Sequence, residues 1–141
     1  RKIEAESIPV NFFVPIDGVQ LDQQSALLPE YCLRVLCLYR FLNPKTEIRV
    51  AAGRELRLRS MEVMALYPAN SLFLDGYLNA RGAQRGRTFQ MIKDAGFTIQ
   101  SEYSIDEILA NEPPASFMNQ DDCVTQLALK GLKDLRPHYT R

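Results

Sequence analysis

The stretch Ile48-Arg49-Val50-Ala51-Ala52 decides how the rest of the chain is read. Successive side chains of an extended strand leave on opposite faces, so Ile48 and Val50 share one face while Arg49 and Ala51 share the other. Upstream, Ile8 to Val14 is rich in β-branched and aromatic residues and ends at Pro15, which cannot donate to a ladder. Downstream, Ser71 to Leu74 follows Pro68-Ala69-Asn70 and reads as a third strand. Between these lie two helical stretches. Pro29 suits a first helical turn and Asn43-Pro44 stops the helix, so one helix is expected over Pro29 to Leu42 and a short one over Ser60 to Tyr67. Strand, helix, strand, helix, strand implies parallel strands with right-handed crossovers, an α/β class of fold.

Further along, Thr88 to Ala95 reads as a helix closed by Gly96 at the C′ position, and Ser104 with Glu107 has the spacing of a capping box. Asn111-Glu112-Pro113-Pro114 reads as a linker. Beyond it Val124, Leu127, Ala128, Gly131, Leu132 and Leu135 keep one helical stripe. Two segments are expected: residues 1–100 carrying the strands, and 101–141 forming a helical tail.

Composition excludes several classes of function. The 141 residues are 46% hydrophobic and 24% charged, and 17 basic side chains balance 17 acidic ones. That length suits a single domain with a real core, and the balance leaves no net field for polyanions. No apolar run approaches the roughly 20 residues of a membrane span. Nucleic acid and membrane are therefore not expected partners. The start at Arg1, without an initiator Met or an apolar leader, leads to the expectation of a cytoplasmic, truncated chain.

Cys32, Cys37 and Cys123 are an odd set without CxxC or CxxxCxxC spacing, so they write neither a disulfide framework nor a metal cradle. Cys32 and Cys37 read as small apolar residues. The sole histidine, His138, lies three residues from the end and reads as a surface group. Asp75-Gly76 reads as the turn that ends the third strand.

The alternation also gathers polar groups. Val10 and Phe12 oppose Asn11, and Leu72 and Leu74 oppose Ser71, so each strand sends one polar side chain, Asn11, Arg49 or Ser71, to the face opposite its aliphatic stripe. In a barrel that face would line the interior, where an arginine needs an anion or a full set of acceptors. In an open sheet Arg49 would instead reach water, paired with Glu47 or Glu55. Periodicity leaves both open.

Ile8-Pro9-Val10-Asn11-Phe12-Phe13-Val14-Pro15-Ile16-Asp17-Gly18, Ile48 to Glu55, and Ala69-Asn70-Ser71-Leu72-Phe73 resemble the C-terminal part of the biotin synthase family. That family belongs to the radical S-adenosylmethionine superfamily and ends in the biotin and thiamin synthesis associated domain. The resemblance covers roughly residues 8 to 100. It implies the last three βα units of a TIM-type barrel.

The resemblance also implies roles. Arg49 matches the arginine ligand of an auxiliary iron–sulfur cluster (2Fe-2S or a variant), and Ser71 a serine beside it. Asn11 matches an asparagine of the dethiobiotin pocket, and Val14 a residue near the adenine of S-adenosylmethionine. Asn79 and Ala80 stand where the family has paired threonines near the substrate carboxylate, so Asn79 is expected to contact the substrate. The activity implied is insertion of sulfur into dethiobiotin after a 5′-deoxyadenosyl radical removes hydrogen. The CxxxCxxC that holds the 4Fe-4S cluster and three further cysteine ligands belong to earlier strands of the family, so this chain by itself is expected to be inactive. Its expected partners are the N-terminal half of the barrel and a second copy of the chain, in a homodimer. The other implied reading is a non-catalytic accessory module of the same domain family, as in the hydrogenase maturase or the thiazole-forming tyrosine lyase.

Overall fold

A computed structural model describes residues 4–15, 27–76 and 82–112. Among these, three strands form one parallel sheet in sequence order: β1 (Ser7–Val10), β2 (Glu47–Val50) and β3 (Ser71–Leu72). Four α-helices accompany it: α1 (Pro29–Leu42), α2 (Arg54–Leu58), α3 (Arg85–Asp94) and α4 (Ile105–Asn111). A 3-10 helix, Arg59–Leu66, continues from α2. The fold is mixed α/β, as alternation of the elements requires. No helix of the described residues is long and apolar enough to cross a membrane.

The core lies on one face of the sheet. Ile48 and Val50 of β2 are fully buried and pack with Val10, Phe12, Cys32, Leu36, Leu58, Ala65 and Ala69. Cys32 and Leu36 are one turn apart on α1, so the helix presents a single narrow stripe to the sheet. Of its other apolar residues, Leu33 and Val35 are half-buried, Leu33 against the core, while Tyr31, Leu38, Tyr39, Phe41 and Leu42 are exposed.

Helix α1 occupies the expected range, with Pro29 in its first turn. It stops where Asn43 caps it: the backbone N–H and the side-chain amide of Asn43 both donate to the Tyr39 carbonyl, at 2.9 and 3.1 Å. Arg40 then ties this end of α1 to the chain entering β2 and β3. It donates to the carbonyls of Thr46 and Pro68 at 2.8 Å and to Asn70 Oδ1 at 2.9 Å.

The strands are shorter than their sequence pattern. β1 ends at Val10, although the Phe12 N–H still donates to the Ala52 carbonyl at 2.9 Å. The Asn11 side chain takes the Ala52 N–H at 3.1 Å, replacing a ladder bond by a side-chain one. β3 ends at Leu72, and the chain bends with positive φ at Asp75 and Gly76, the turn expected there.

The second helical stretch differs more. It begins at Arg54, six residues before the expected Ser60, because Gly53 in the left-handed region (φ 74°) turns the chain directly out of β2. Arg59, with φ 51°, then breaks the α-helix, and a 3-10 helix follows. An arginine at positive φ carries no glycine signal, so this break is invisible in the residue pattern.

Helix α3 starts three residues earlier than Thr88 and ends as expected: Gly96 has φ 76°, its N–H donates to the Lys93 carbonyl, and the Phe97 N–H to that of Ile92. This pair of bonds is a Schellman cap. The capping box of α4 is complete, with Glu107 N–H donating to Ser104 Oγ and Ser104 N–H to Glu107 Oε2. α4 contacts α3, and Lys93 pairs with Asp106. The tail stripe from Val124 to Leu135 and His138 lie outside the described residues.

A buried ionic cluster pins α3 to the sheet. Arg54 is 1% exposed; its Nη1 donates to the Phe73 carbonyl at 3.1 Å and its Nη2 to Glu55 at 2.9 Å. Its Nε lies 2.9 Å from Glu62 Oε1 but is not aligned for a hydrogen bond, so that contact is an ion pair alone. Arg87 of α3 reaches the other oxygen of Glu62 at 3.1 Å, and Glu55 accepts from the Ala83 N–H at 3.0 Å. Burial pushes the Glu62 carboxyl up against the pull of Arg54 and Arg87.

Candidate functional site

The face of the sheet opposite the core carries the polar residues. In register, Ser7 of β1 stands beside Glu47 of β2, and Arg49 of β2 beside Ser71 of β3. Glu47 and Arg49 are two residues apart on one strand and therefore on one face. The Arg49 Nε–H is shared between Glu47 Oε1 at 2.8 Å and Ser71 Oγ at 2.9 Å, and Nη2 pairs with the same carboxylate. The guanidinium also lies 5.5 Å from the centroid of the Phe73 ring, within cation–π range. Its side chain is 37% exposed.

Glu47 is the acceptor that holds this arrangement. The Ser71 hydroxyl first, and the Arg49 guanidinium next, keep its carboxyl below the usual carboxylate range, with a smaller contribution from Ser7. Within this three-stranded sheet Arg49 thus takes the arrangement expected of an open sheet, partly exposed and paired with Glu47; Glu55 is committed to Arg54 and Ala83.

The C-terminal ends of the three parallel strands lie beside this face. Asn11 follows β1, exposed, on the same side as Arg49 by alternation, with its Oδ1 on the Ala52 N–H. Val14 is half-buried, and its Cγ2 would lie 3.0 Å from a Cβ on Gly53, so it covers the turn after β2. Arg57 fixes the segment between them: its Nε donates to the Phe13 carbonyl at 2.7 Å, and its guanidinium sits 5.7 Å from the Phe13 ring centroid. Arg49 and Ser71 are thus in direct contact, and Asn11 and Val14 stand at the strand ends. Asn79 lies outside the described residues.

The donor set suits one edge of a metal site and no more. Among the described residues no group of three His, Cys, Asp or Glu side chains is placed to hold a metal ion. Cys32 is buried with Ile48 and Val50 on the opposite face from Arg49, and burial pushes its thiol up, away from the thiolate a metal needs. Cys37 is exposed on α1. Among the described residues no cysteine shares a face with Arg49, so a cluster there would draw its thiolates from a segment beyond them.

Comparison with known proteins bears on which segment that is. The family model described as the Biotin and Thiamin Synthesis associated domain matches residues 9–98. The chain is 54% identical over 100 residues to the biotin synthase of Magnetococcus marinus, covering 71% of this chain and 31% of that protein. It is 51% identical over 105 residues to the biotin synthase of Acaryochloris marina, covering 74% and 30%. Against that of Leptospira interrogans it is 53% identical over 103 residues, covering 73% and 29%. The chain spans about 30% of the length of the curated relatives it matches. With the parallel sheet, the Arg49–Ser71 pair and these matches together, the chain belongs to the Biotin and Thiamin Synthesis associated domain family, in the form carried by the C-terminal part of biotin synthases.

Proposed function

We propose that this chain supplies the last three βα units of a TIM-type barrel in a biotin synthase, with the polar face of its sheet turned to the barrel interior. Arg49 is then this chain's ligand to the auxiliary iron–sulfur cluster, and Ser71 stands beside it. Asn11 and Asn79 contact dethiobiotin, and Val14 lies near the adenine of S-adenosylmethionine. The cluster, when bound, supplies the sulfur for insertion into dethiobiotin. The observation that carries this reading is the Arg49–Ser71 contact at 2.9 Å, made between adjacent parallel strands on the face away from the aliphatic core.

Two features of the described residues favour a missing remainder of the barrel as partner. β1 is an edge strand, and an open groove lined by Pro9, Asn11, Phe12, Tyr31, Val35 and Tyr39 runs between it and α1. An uncovered strand edge beside apolar side chains is a docking surface for further βα units. Pairing of two such chains into a homodimer and a cytoplasmic location belong to the same reading.

A chimera tests it. This chain replaces the matching segment of the Magnetococcus marinus biotin synthase, and a biotin auxotroph carrying the chimera is grown on dethiobiotin. Growth is expected, while the 141-residue chain alone gives neither growth nor 5′-deoxyadenosine. A folded chimera that fails to support growth, or 5′-deoxyadenosine from the chain alone, overturns the reading.

A further inference from the structure

We propose that Glu47 is a positioning residue for Arg49: its carboxylate clamps the guanidinium so that the remaining nitrogen, Nη1, is aimed at the group the site receives. The proposal rests on the reading above, in which that group is an iron–sulfur cluster. Three observations carry it. Both Nε and Nη2 of Arg49 engage one oxygen of Glu47, so the clamp fixes the plane of the guanidinium. Ser71 accepts from the same Nε–H at 2.9 Å, so the neighbouring strand β3 also holds the guanidinium. Nη1, by contrast, has no protein acceptor among the described residues.

A long arginine side chain loses much rotamer freedom when it is fixed, and a carboxylate already in place on the same strand face removes much of that cost before any ligand arrives. A carboxylate behind a metal ligand also raises the ligand's basicity and fixes its orientation, as carboxylates do behind metal-bound histidines. Glu47 stands to Arg49 in that relation. Ser71 cannot replace it, because a hydroxyl offers one neutral contact where Glu47 offers a charged one to two nitrogens.

The first arm of the test uses the full 141-residue chain, without a cluster. The Nε–Hε proton of Arg49 is followed by ¹⁵N NMR, with Arg34 as the reference. Arg34 is 77% exposed and makes an ordinary i, i+4 pair with Glu30. Exchange at Arg49 is expected to be at least about tenfold slower than at Arg34, the minimum for a charge-assisted hydrogen bond. Glu47→Gln removes that protection and Glu47→Asp retains part of it. Equal exchange in the wild type and Glu47→Gln overturns the proposal.

The second arm uses the chimera with its cluster assembled, read by visible absorption and midpoint potential. Glu47→Gln is expected to change the spectrum and raise the potential, Glu47→Asp to return both toward wild type, and Glu47→Gln to add nothing once Arg49 is alanine. If Arg49→Ala alters the spectrum and Glu47→Gln does not, the positioning role is wrong. If Arg49→Ala itself leaves the spectrum unchanged while the first arm shows a clamped arginine, the cluster reading fails instead.

Discussion

Gly53 lies directly against the Phe12 carbonyl: a Cβ on Gly53 would meet that oxygen at 2.4 Å and Val14 Cγ2 at 3.0 Å. The turn after β2 and the segment after β1 thus approach more closely than any side chain allows, which brings Val14 over the strand ends. Gly53→Ala combines a positive φ with this clash and is expected to cost about 2–5 kcal/mol. Gly96→Ala shares the positive φ but meets nothing within 4 Å, so about 1 kcal/mol is expected. Urea denaturation of the two variants checks this. Equal losses would show that the Phe12 contact is immaterial.

Arg54 serves three groups from a position that water does not reach. Arg54→Met leaves Glu62 buried with Arg87 as its remaining partner, and a loss of roughly 3–5 kcal/mol is expected. Arg54→Lys recovers little of this, because one ammonium cannot reach Glu55, Glu62 and the Phe73 carbonyl together. Denaturant midpoints of both variants give the comparison, and a lysine variant as stable as wild type would contradict the network as described.

The capping box of α4 makes a pH prediction. Hydrogen bonds from the Ser104 hydroxyl and backbone hold the Glu107 carboxyl below its ordinary range. A lowered folded-state value means the cap stabilises α4 above the unfolded value of about 4.3 and is lost as pH falls through the lower, folded one. Amide exchange of the first turn of α4 should therefore accelerate in that acid window, and Glu107→Gln should flatten the dependence. Ser104→Ala should destabilise α4 at neutral pH by about 1 kcal/mol. Exchange that is indifferent to pH in the wild type would contradict the cap's role.

Much of this architecture is written locally. Pro29 and Asn43-Pro44 mark α1, Gly96 marks the end of α3, and the Ser104–Glu107 spacing marks the cap of α4, because each depends on backbone chemistry within a few residues. Period-two alternation also placed Ile48 and Val50 in the core and Arg49 with Ser71 on the other face. Ala51 departs from it: just past the end of β2 it is buried although alternation puts it on the same face as Arg49.

What sequence could not show depends on long-range partners. Arg40 looks like a polar interruption of an apolar helix, yet it joins α1 to Thr46, Pro68 and Asn70. Arg54 and Glu62 look like surface charges and are buried, because the residues that neutralise them come from three different elements. Glu47 was one of two candidate partners for Arg49, and only the competing claim of Arg54 on Glu55 decides between them.

The most direct test concerns Arg49 itself. The chimera is prepared with ¹⁵N-labelled arginine, its auxiliary cluster is reduced to a paramagnetic state, and nitrogen hyperfine coupling is recorded by pulsed electron paramagnetic resonance. The account predicts a ¹⁵N coupling that disappears in Arg49→Lys prepared with the same label. A cluster whose spectrum carries no arginine nitrogen coupling, or one that keeps it in Arg49→Lys, would contradict it.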